Sequence, residues 1–485
     1  MSLKRLFQVC AVKEAQAGEA VTGASLYTAA NANFLVIDPV VEFNPEIFER
    51  ANINRASLSP FSPLAGVVTG TATFQVELSG TGAATVPGWG TLLQACGMRE
   101  VSTVAVVIGA VGGAADAFYN GELVTCVGSG AVVRVIHDTY DGTTLFLCEE
   151  VTGTIAALDA LTGASSGATA TVTAGARWVY GTSWVPDSIE LIDFAWSVDT
   201  GVNVAGDVIV GQTSGAVGIL QETPVASPTS VRVLDGIFTN AEECWNVTIG
   251  GGAANKLDFL VAGTSQTNVP SLSLAVIEDG PAKALKGARG TFSLAGNIGE
   301  ALLFSFEFLG LKNTLTDEGT VTGVTYTAQV PPAMLGVTFN IWEDAAATTA
   351  AFFSPRFSAL SWDFANSMGI GRDAGEATGV YGAAHVTSRA TSGSITVDVS
   401  PEAQYDFIQK VTDGASTHMA LTMGSTQGNL FKISCPSAVF TGESGGETEG
   451  IANRSLPFRV GSRWPSGVDA DNCELVITYC SDSAP

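Results

Sequence analysis

One pattern occurs twice in this chain, about 320 residues apart, and it limits what the chain can fold into: an alternating strand followed by a short amphipathic helix. The first copy runs Thr71-Ala-Thr-Phe-Gln-Val-Glu-Leu78, passes through a Gly/Pro turn and continues from Trp89 to Cys96. The second runs Gly393-Ser-Ile-Thr-Val-Asp-Val399 and then Pro401 to Val411. Side chains alternate across a strand, so Ala72, Phe74, Val76 and Leu78 share one face, as do Ile395, Val397 and Val399. Trp89, Leu92, Leu93 and Cys96 recur at helical spacing, and so do Phe407, Ile408 and Val411. Each copy leads to a later alternating run, Phe292 to Phe308 in one and Leu430 to Val439 in the other. A small β-domain duplicated within one chain points to assembly rather than catalysis.

Composition agrees. A chain of 485 residues has room for two to four domains with their own cores. Ala, Gly, Thr, Val and Ser dominate and only 14% of residues are charged, which fits many short strands and tight turns. A formal net charge of -25 with 22 Lys and Arg disfavours tight binding to a phosphate backbone. It suits an acidic wall past which DNA must slide without sticking. Lys13-Glu14 interrupts the first apolar stretch, so no targeting segment is read there. Val104 to Val111 is the longest apolar run and is too short to cross a bilayer, so no membrane insertion is expected. The eight cysteines show no CxxC spacing and sit in apolar strand or helix patterns, as buried reduced thiols do. Cys473 and Cys480 are the pair with another possible use.

An internal repeat at a spacing of about 85 residues interrupts the first copy. Gly121-Glu-Leu-Val-Thr-Cys-Val-Gly-Ser-Gly-Ala-Val132 aligns without gaps on Gly206-Asp-Val-Ile-Val-Gly-Gln-Thr-Ser-Gly-Ala-Val217, and Thr143 to Leu147 corresponds to Thr229 to Val233. A degenerate third copy lies at Leu158 to Thr169. Each unit reads strand, Ser/Gly turn, strand, the pattern of small hairpins that pair into a compact module. The boundaries that follow are 1–108 with 268–325 for a discontinuous first domain, 109–267 for an inserted, outward-facing module, and 326–485 for an uninterrupted second domain.

Motifs that suggest chemistry give way on inspection. Val104 to Gly113 resembles the start of a dinucleotide-binding unit, but it is not GxGxxG and only Ala114 to Tyr119 has room for a helix before Asn120-Gly121. Gly163-Ala-Ser165-Ser-Gly167 matches a nucleophile elbow, yet it lies in the repeat, where the equivalent residue is Thr213, and no helix follows. His137, His385 and His418 are scattered, with no second ligand at metal-binding spacing. His137 reads as half-buried in a strand and His418 as a surface or interface residue. No catalytic, cofactor-binding or metal-binding residue is assigned, and no enzymatic activity is expected.

With both copies in view, the chain resembles the tail tube (major tail) proteins of long, non-contractile-tailed bacteriophages. The resemblance rests on Val41-Glu-Phe-Asn-Pro-Glu-Ile with Arg55-Ala-Ser-Leu, on Gly70 to Leu78 with Trp89 to Gly97, on Leu285 to Phe292 continuing through Gly299-Glu to Gly310, and on Gly428 to Ile433 with Gly450-Ile-Ala. It covers about residues 35–100 and 270–465; the module at 109–267 departs from it. It implies a mainly β fold of two tandem tail-tube-like β-sandwich or barrel domains, each with a flanking helix. It also implies rings stacked into a hollow tube, in the virion tail, after assembly in the host cytoplasm. A duplicated subunit implies homotrimeric, pseudo-sixfold rings, with terminator, tape-measure and distal tail proteins as neighbours and genome DNA passing through without specific binding.

The loop 44–64 and the Gly-rich loop 369–390 precede the two equivalent strands and are the expected contacts between protomers or rings. Arg50, Arg55, Pro60, Phe61, Arg372 and Arg389 are the interface candidates, arginine being suited to bidentate carboxylate contacts. The alternative from another class is a β-rich virion adhesin or carbohydrate-binding protein that uses the repeat module as its binding element.

Overall fold

Runs in which an apolar residue alternates with Thr, Ser or a charged residue form the strands, because such a run buries one face and leaves the other wet. The computed structural model describes residues 7–14, 18, 20–49, 63–83, 85–113, 117–137, 145–173, 177–186, 191–194, 196–200, 203–204, 207–212, 217–220, 229–235, 243–246, 256–259, 269–278, 280–313, 316–326, 329–343, 353–372, 380–398, 405–448, 450–461 and 474–481. Within them lie 32 strands and two α-helices. The fold is mainly β, with the character of a β-sandwich.

In chain order the first elements are β1 (Phe7–Lys13), β2 (Ile37–Phe48), β3 (Leu64–Glu77), helix α1 (Gly90–Ala95) and β4 (Met98–Val107). Then come β5 (Gly112–Gly113), β6 (Leu123–Val127), β7 (Val132–Val135), β8 (Leu145–Thr152), β9 (Ala160–Gly163), β10 (Ala168–Thr171) and β11 (Trp178–Pro186). A second run gives β12 (Leu191–Phe194), β13 (Trp196–Thr200), β14 (Val208–Gly211), β15 (Val217–Leu220), β16 (Thr229–Asp235), β17 (Glu243–Asn246) and β18 (Lys256–Phe259). After it lie β19 (Leu272–Glu278), β20 (Gly280–Asn297), β21 (Leu303–Lys312) and β22 (Thr316–Glu318). The remainder holds β23 (Thr338–Glu343), β24 (Phe357–Asp363), β25 (Asn366–Arg372), β26 (Val380–Arg389), β27 (Ser392–Asp398), helix α2 (Phe407–Asp413), β28 (Ser416–Met423), β29 (Leu430–Phe440), β30 (Ser444–Thr448), β31 (Ile451–Val460) and β32 (Val476–Cys480).

Strand pairing makes the duplication explicit. The first copy has the order β2-β3-β21-β20-β19-β1, with α1 following β3 and β22 added beside the start of β20. The second has the order β24-β27-β31-β29-β28-β23, with α2 following β27 and β32 added beside the start of β29. Every one of these pairings is antiparallel.

The long β20 bends between layers. Its first half pairs with β19, and residues Ser293 to Asn297 pair with β24 of the second copy. One layer therefore runs unbroken through both copies as β2-β3-β21-β20-β24-β27-β31-β30. The other strands of both copies close over its apolar face. A single core holds Phe74, Phe304, Phe306, Leu360, Ile395 and Leu456 from the continuous layer with Val9, Leu274, Ile341, Leu421, Phe431 and Ile477 from the covering strands. Each such fully buried side chain contributes about 1.5–3 kcal/mol relative to exposure.

The span 109–267, together with β4 just ahead of it, divides into three parts. β4 to β10 form a seven-stranded unit ordered β4-β8-β7-β6-β9-β10-β5 around Val106, Phe118, Val124, Val133, Phe146 and Leu161. β12 to β18 form a second unit ordered β12-β16-β15-β14-β17-β18-β13, the same path through space. Register is kept too: Leu123↔Arg134 and Thr125↔Val132 become Val208↔Ile219 and Val210↔Val217, each displaced by 85 positions. The degenerate third copy is the β9–β10 hairpin, which completes the first unit. Between the units β11 returns to the main body, pairing with β4 on one edge and β32 on the other. Its Trp184 is fully buried, 4.7 Å from the Trp89 ring, and a Cβ on Gly90 would come within 2.5 Å of it.

Candidate assembly surfaces

The junction between the two copies shows how one copy accepts another. Backbone pairing from Ser293↔Asp363 to Asn297↔Ala359 joins their sheets edge to edge. Helix α1 of the first copy fills the space behind. Trp89 lies 5.2 Å from Phe304 of its own copy and 6.3 Å from Phe431 of the second. Asn366 Nδ2 donates to Cys96 O at 2.6 Å and to Gly290 O at 3.0 Å. The Tyr479 hydroxyl reaches Thr81 Oγ1 at 2.8 Å and donates to Ala83 O at 2.7 Å. Neither Asn366 nor Tyr479 is marked by the sequence, because a lone polar residue in a strand carries no pattern.

The interface candidates fall into three groups. Arg50, Arg55, Pro60 and Phe61 lie outside the described residues. Arg372 is exposed and forms an ion pair with Glu46 at the end of β2, Nη1 donating to Oε2 at 3.1 Å; that hydrogen bond, with the attraction of the carboxylate, raises its pKa. The β25–β26 hairpin thus reaches from the second copy across the first. Arg389 is turned inward. It stacks 4.2 Å over Phe364, donates to Asn366 Oδ1 and Gly97 O at 3.2 Å each, and pairs with Glu474 at 3.4 Å. This guanidinium joins the two copies of one chain.

The wet face of the continuous layer is hydroxyl-rich and acidic. Thr71, Thr73, Gln75 and Glu77 on β3 share it with Ser305 and Glu307 on β21, Thr291 and Ser293 on β20, Ser361 and Asp363 on β24, and Ser394, Thr396 and Asp398 on β27. Cross-strand bonds tie it together, Gln75 Nε2 to Ser305 Oγ at 3.1 Å and Ser361 Oγ to Ser394 Oγ at 2.9 Å. Arg459 on β31 is a basic residue on this side.

Residues that suggest chemistry are engaged structurally. Ser166, in the Gly163 to Gly167 turn, donates its hydroxyl to Glu122 Oε1 at 2.8 Å, while the Ser165 and Ser166 amides donate to Oε2. Burial pushes the Glu122 carboxyl up, against the pull of these hydrogen bonds. Asp159 mirrors it, accepting from the Ser129 amide at 2.9 Å and the Ser129 hydroxyl at 2.6 Å. His137 is buried, with Nδ1 2.8 Å from Ser434 Oγ and Nε2 2.7 Å from Thr478 Oγ1. His418, expected near the surface, is fully buried and stacked 5.5 Å from Trp342, because β28 is a covered central strand. Seven cysteines are described, all buried and none in a disulfide with another described cysteine; burial pushes the Cys10 and Cys126 thiols up to about 12, leaving them unreactive. Among the described residues no group of three or more His, Cys, Asp or Glu is placed to hold a metal ion, and no helix is long and apolar enough to cross a membrane. Neither a protein-family model nor a curated protein matches this chain.

Proposed function

We propose that the chain is a tail tube subunit, a structural protein whose copies close into rings and stack into a hollow conduit for genome DNA. The observation that carries this reading is the edge-to-edge join of the two copies through β20 and β24. One chain thereby contributes eight antiparallel strands and ends in two edges, β2 and β30, that run in opposite directions. Chains related by rotation can add head to tail until the sheet closes, which removes the free edges that otherwise invite aggregation.

Strand number supports three chains per ring. Twenty-four strands about 4.8 Å apart and tilted about 40° make a barrel on the order of 48 Å across at the backbone. Sixteen make one of about 32 Å, too narrow for a DNA duplex once side chains are added. The acidic, hydroxyl-rich face then lines the bore and repels phosphate, so DNA passes without being held. In this setting the partners are further copies of the chain and the proteins that end the tube, fill it and seat it on the virion.

Electron microscopy of the purified, concentrated protein tests the reading. Hollow rings or tubes with three large protomers per turn are expected. A protein that stays monomeric, or that forms rings of six chains, overturns it.

A further inference from the structure

We infer that the seam between neighbouring chains repeats the junction inside each chain, with β30 of one chain pairing to the outer edge of β2 of the next and α2 covered at that seam. This rests on the tube reading but specifies residues that it leaves open.

The two edges are equivalent strand by strand. Core-facing Phe74 and Val76 on β3 match Ile395 and Val397 on β27 at a separation of 321 positions. The same separation relates the neighbouring strands. Glu42 pairs with Thr71 in the first copy and Asp363 pairs with Ser392 in the second, so the two connections match in length. On the other side, Ser293 pairs with Ser305 and Ser305 with Gln75; correspondingly, Ser444 pairs with Ser455 and Ser455 with Thr396. Ser444 therefore stands where Ser293 stands, and Glu42 stands where Asp363 stands. Since Ser293 pairs with Asp363 inside the chain, Ser444 pairs with Glu42 of the next chain.

Among the described residues β2 pairs with β3 alone, which leaves its outer edge open to a further strand. Exposure separates the two helices. Of the six residues of α1 five are buried, because the second copy and β11 close over it. Of the seven in α2 Phe407 alone is buried, and Ile408 is 48% exposed. The second helix has the first helix's place in its copy without the neighbour that would cover it.

Paired cysteines test the seam. In a single chain residues 42 and 444 lie at opposite ends of eight strands, about 34 Å apart, far beyond disulfide reach. Oxidised assemblies of the Glu42→Cys/Ser444→Cys double variant are expected to give a cross-linked ladder that ends at three chains, while either single variant gives none. Ile408→Glu is expected to abolish ring formation with an unchanged circular dichroism spectrum and melting temperature, since the side chain is half-exposed in the free chain. Rings that assemble with no cross-link and tolerate Ile408→Glu overturn this seam and leave the tube reading standing. A parent protein that forms no ring overturns both.

Discussion

The two seven-stranded units share a strand order and a register, yet one is built into the main body and the other pairs only with itself among the described residues. The first unit borrows β4, whose other edge receives β11, and β11 in turn pairs with β32 of the second copy. Val101, Ala105, Ile136, Leu147, Val476 and Cys480 form a shared apolar seam beside it. Ala117 and Tyr119 of the unit rest against Trp342 and Ala420. A segment inserted in the first copy is thereby hydrogen-bonded to the second. In the first copy the strand equivalent to β32 is β22, only three residues long, and among the described residues it pairs with β20 alone. The same fold serves as a staple in one place and as an appendage in the other, and the difference lies in what its edge strand meets.

The sharpest break of this comparison is a pair of deletions. Replacing residues 188–267 by a short Gly/Ser linker removes the second unit and leaves β11 in place; a folded, assembling protein is expected. Removing the whole of 109–267 also takes β11, which leaves β4 without a partner strand, opens one edge of β32 and strips Trp184 from the core. Loss of soluble folded protein is expected, read by expression and gel filtration. Equal behaviour of the two deletions would contradict the staple. Next in size is Trp184→Ala, which empties the contact with Trp89 and Gly90. A cost of about 3–5 kcal/mol is expected from thermal or denaturant unfolding, whereas Trp245→Ala, on β17 of the second unit, should leave the unfolding of the main body unchanged.

A smaller break concerns His137. It sits in the first unit and bonds Ser434 and Thr478 of the second copy, and Thr478 passes the network to Ser183 at 2.6 Å and on to Thr103 at 2.5 Å. Removing the ring leaves hydroxyls buried with fewer partners, at about 1–3 kcal/mol. His137→Ala should lower the melting temperature of the main body, measured by calorimetry.

Local period made the strands legible in the sequence. Phe304, Phe306 and Phe308 alternate with polar residues, and β21 forms as that pattern requires. The 85-residue repeat also carries its register openly. What stays hidden is pairing at long range. Nothing around Trp184 signals that β11 leaves the inserted span to meet a strand almost 300 residues later. Arg389 reads as a surface arginine on a Gly-rich loop until Phe364 and Gly97 are beside it. Pro401 suggests the start of the second helix, whereas the described helix begins after Asp406, whose carboxylate accepts from the Gln409 amide at 3.0 Å, and it ends at Gly414 in the left-handed region. An N-cap outweighs an upstream proline because it satisfies an amide that the first turn leaves open.

The smallest expected effect tests the two carboxylates that clasp the turns of the first unit. Glu122 and Asp159 each hold the Ser turn of the opposite hairpin and the amide three residues before themselves, Tyr119 and Ala156 respectively. Their acidities move in opposite directions. For Glu122, burial is the largest influence and raises the pKa. For Asp159, burial also acts to raise it, but the Ser129 hydroxyl and the Ala156 and Ser129 amides together outweigh it and the pKa falls below 3.8. A carboxyl lowered on folding adds stability above its unfolded pKa and loses it as the pH drops through the folded one. Asp159 therefore supports the unit at neutral pH and gives up that support only below about pH 4. A raised carboxyl has the opposite sign, so protonating Glu122 on the way down from neutral pH favours the fold. Amide-exchange protection of β6, β7, β9 and β10 followed from pH 7 to pH 3 separates the two. Asp159→Asn should flatten the loss at the acidic end, and Glu122→Gln should remove the gain that precedes it. A unit whose protection falls monotonically from neutral pH in both variants would mean that the two clasps are not opposed in this way.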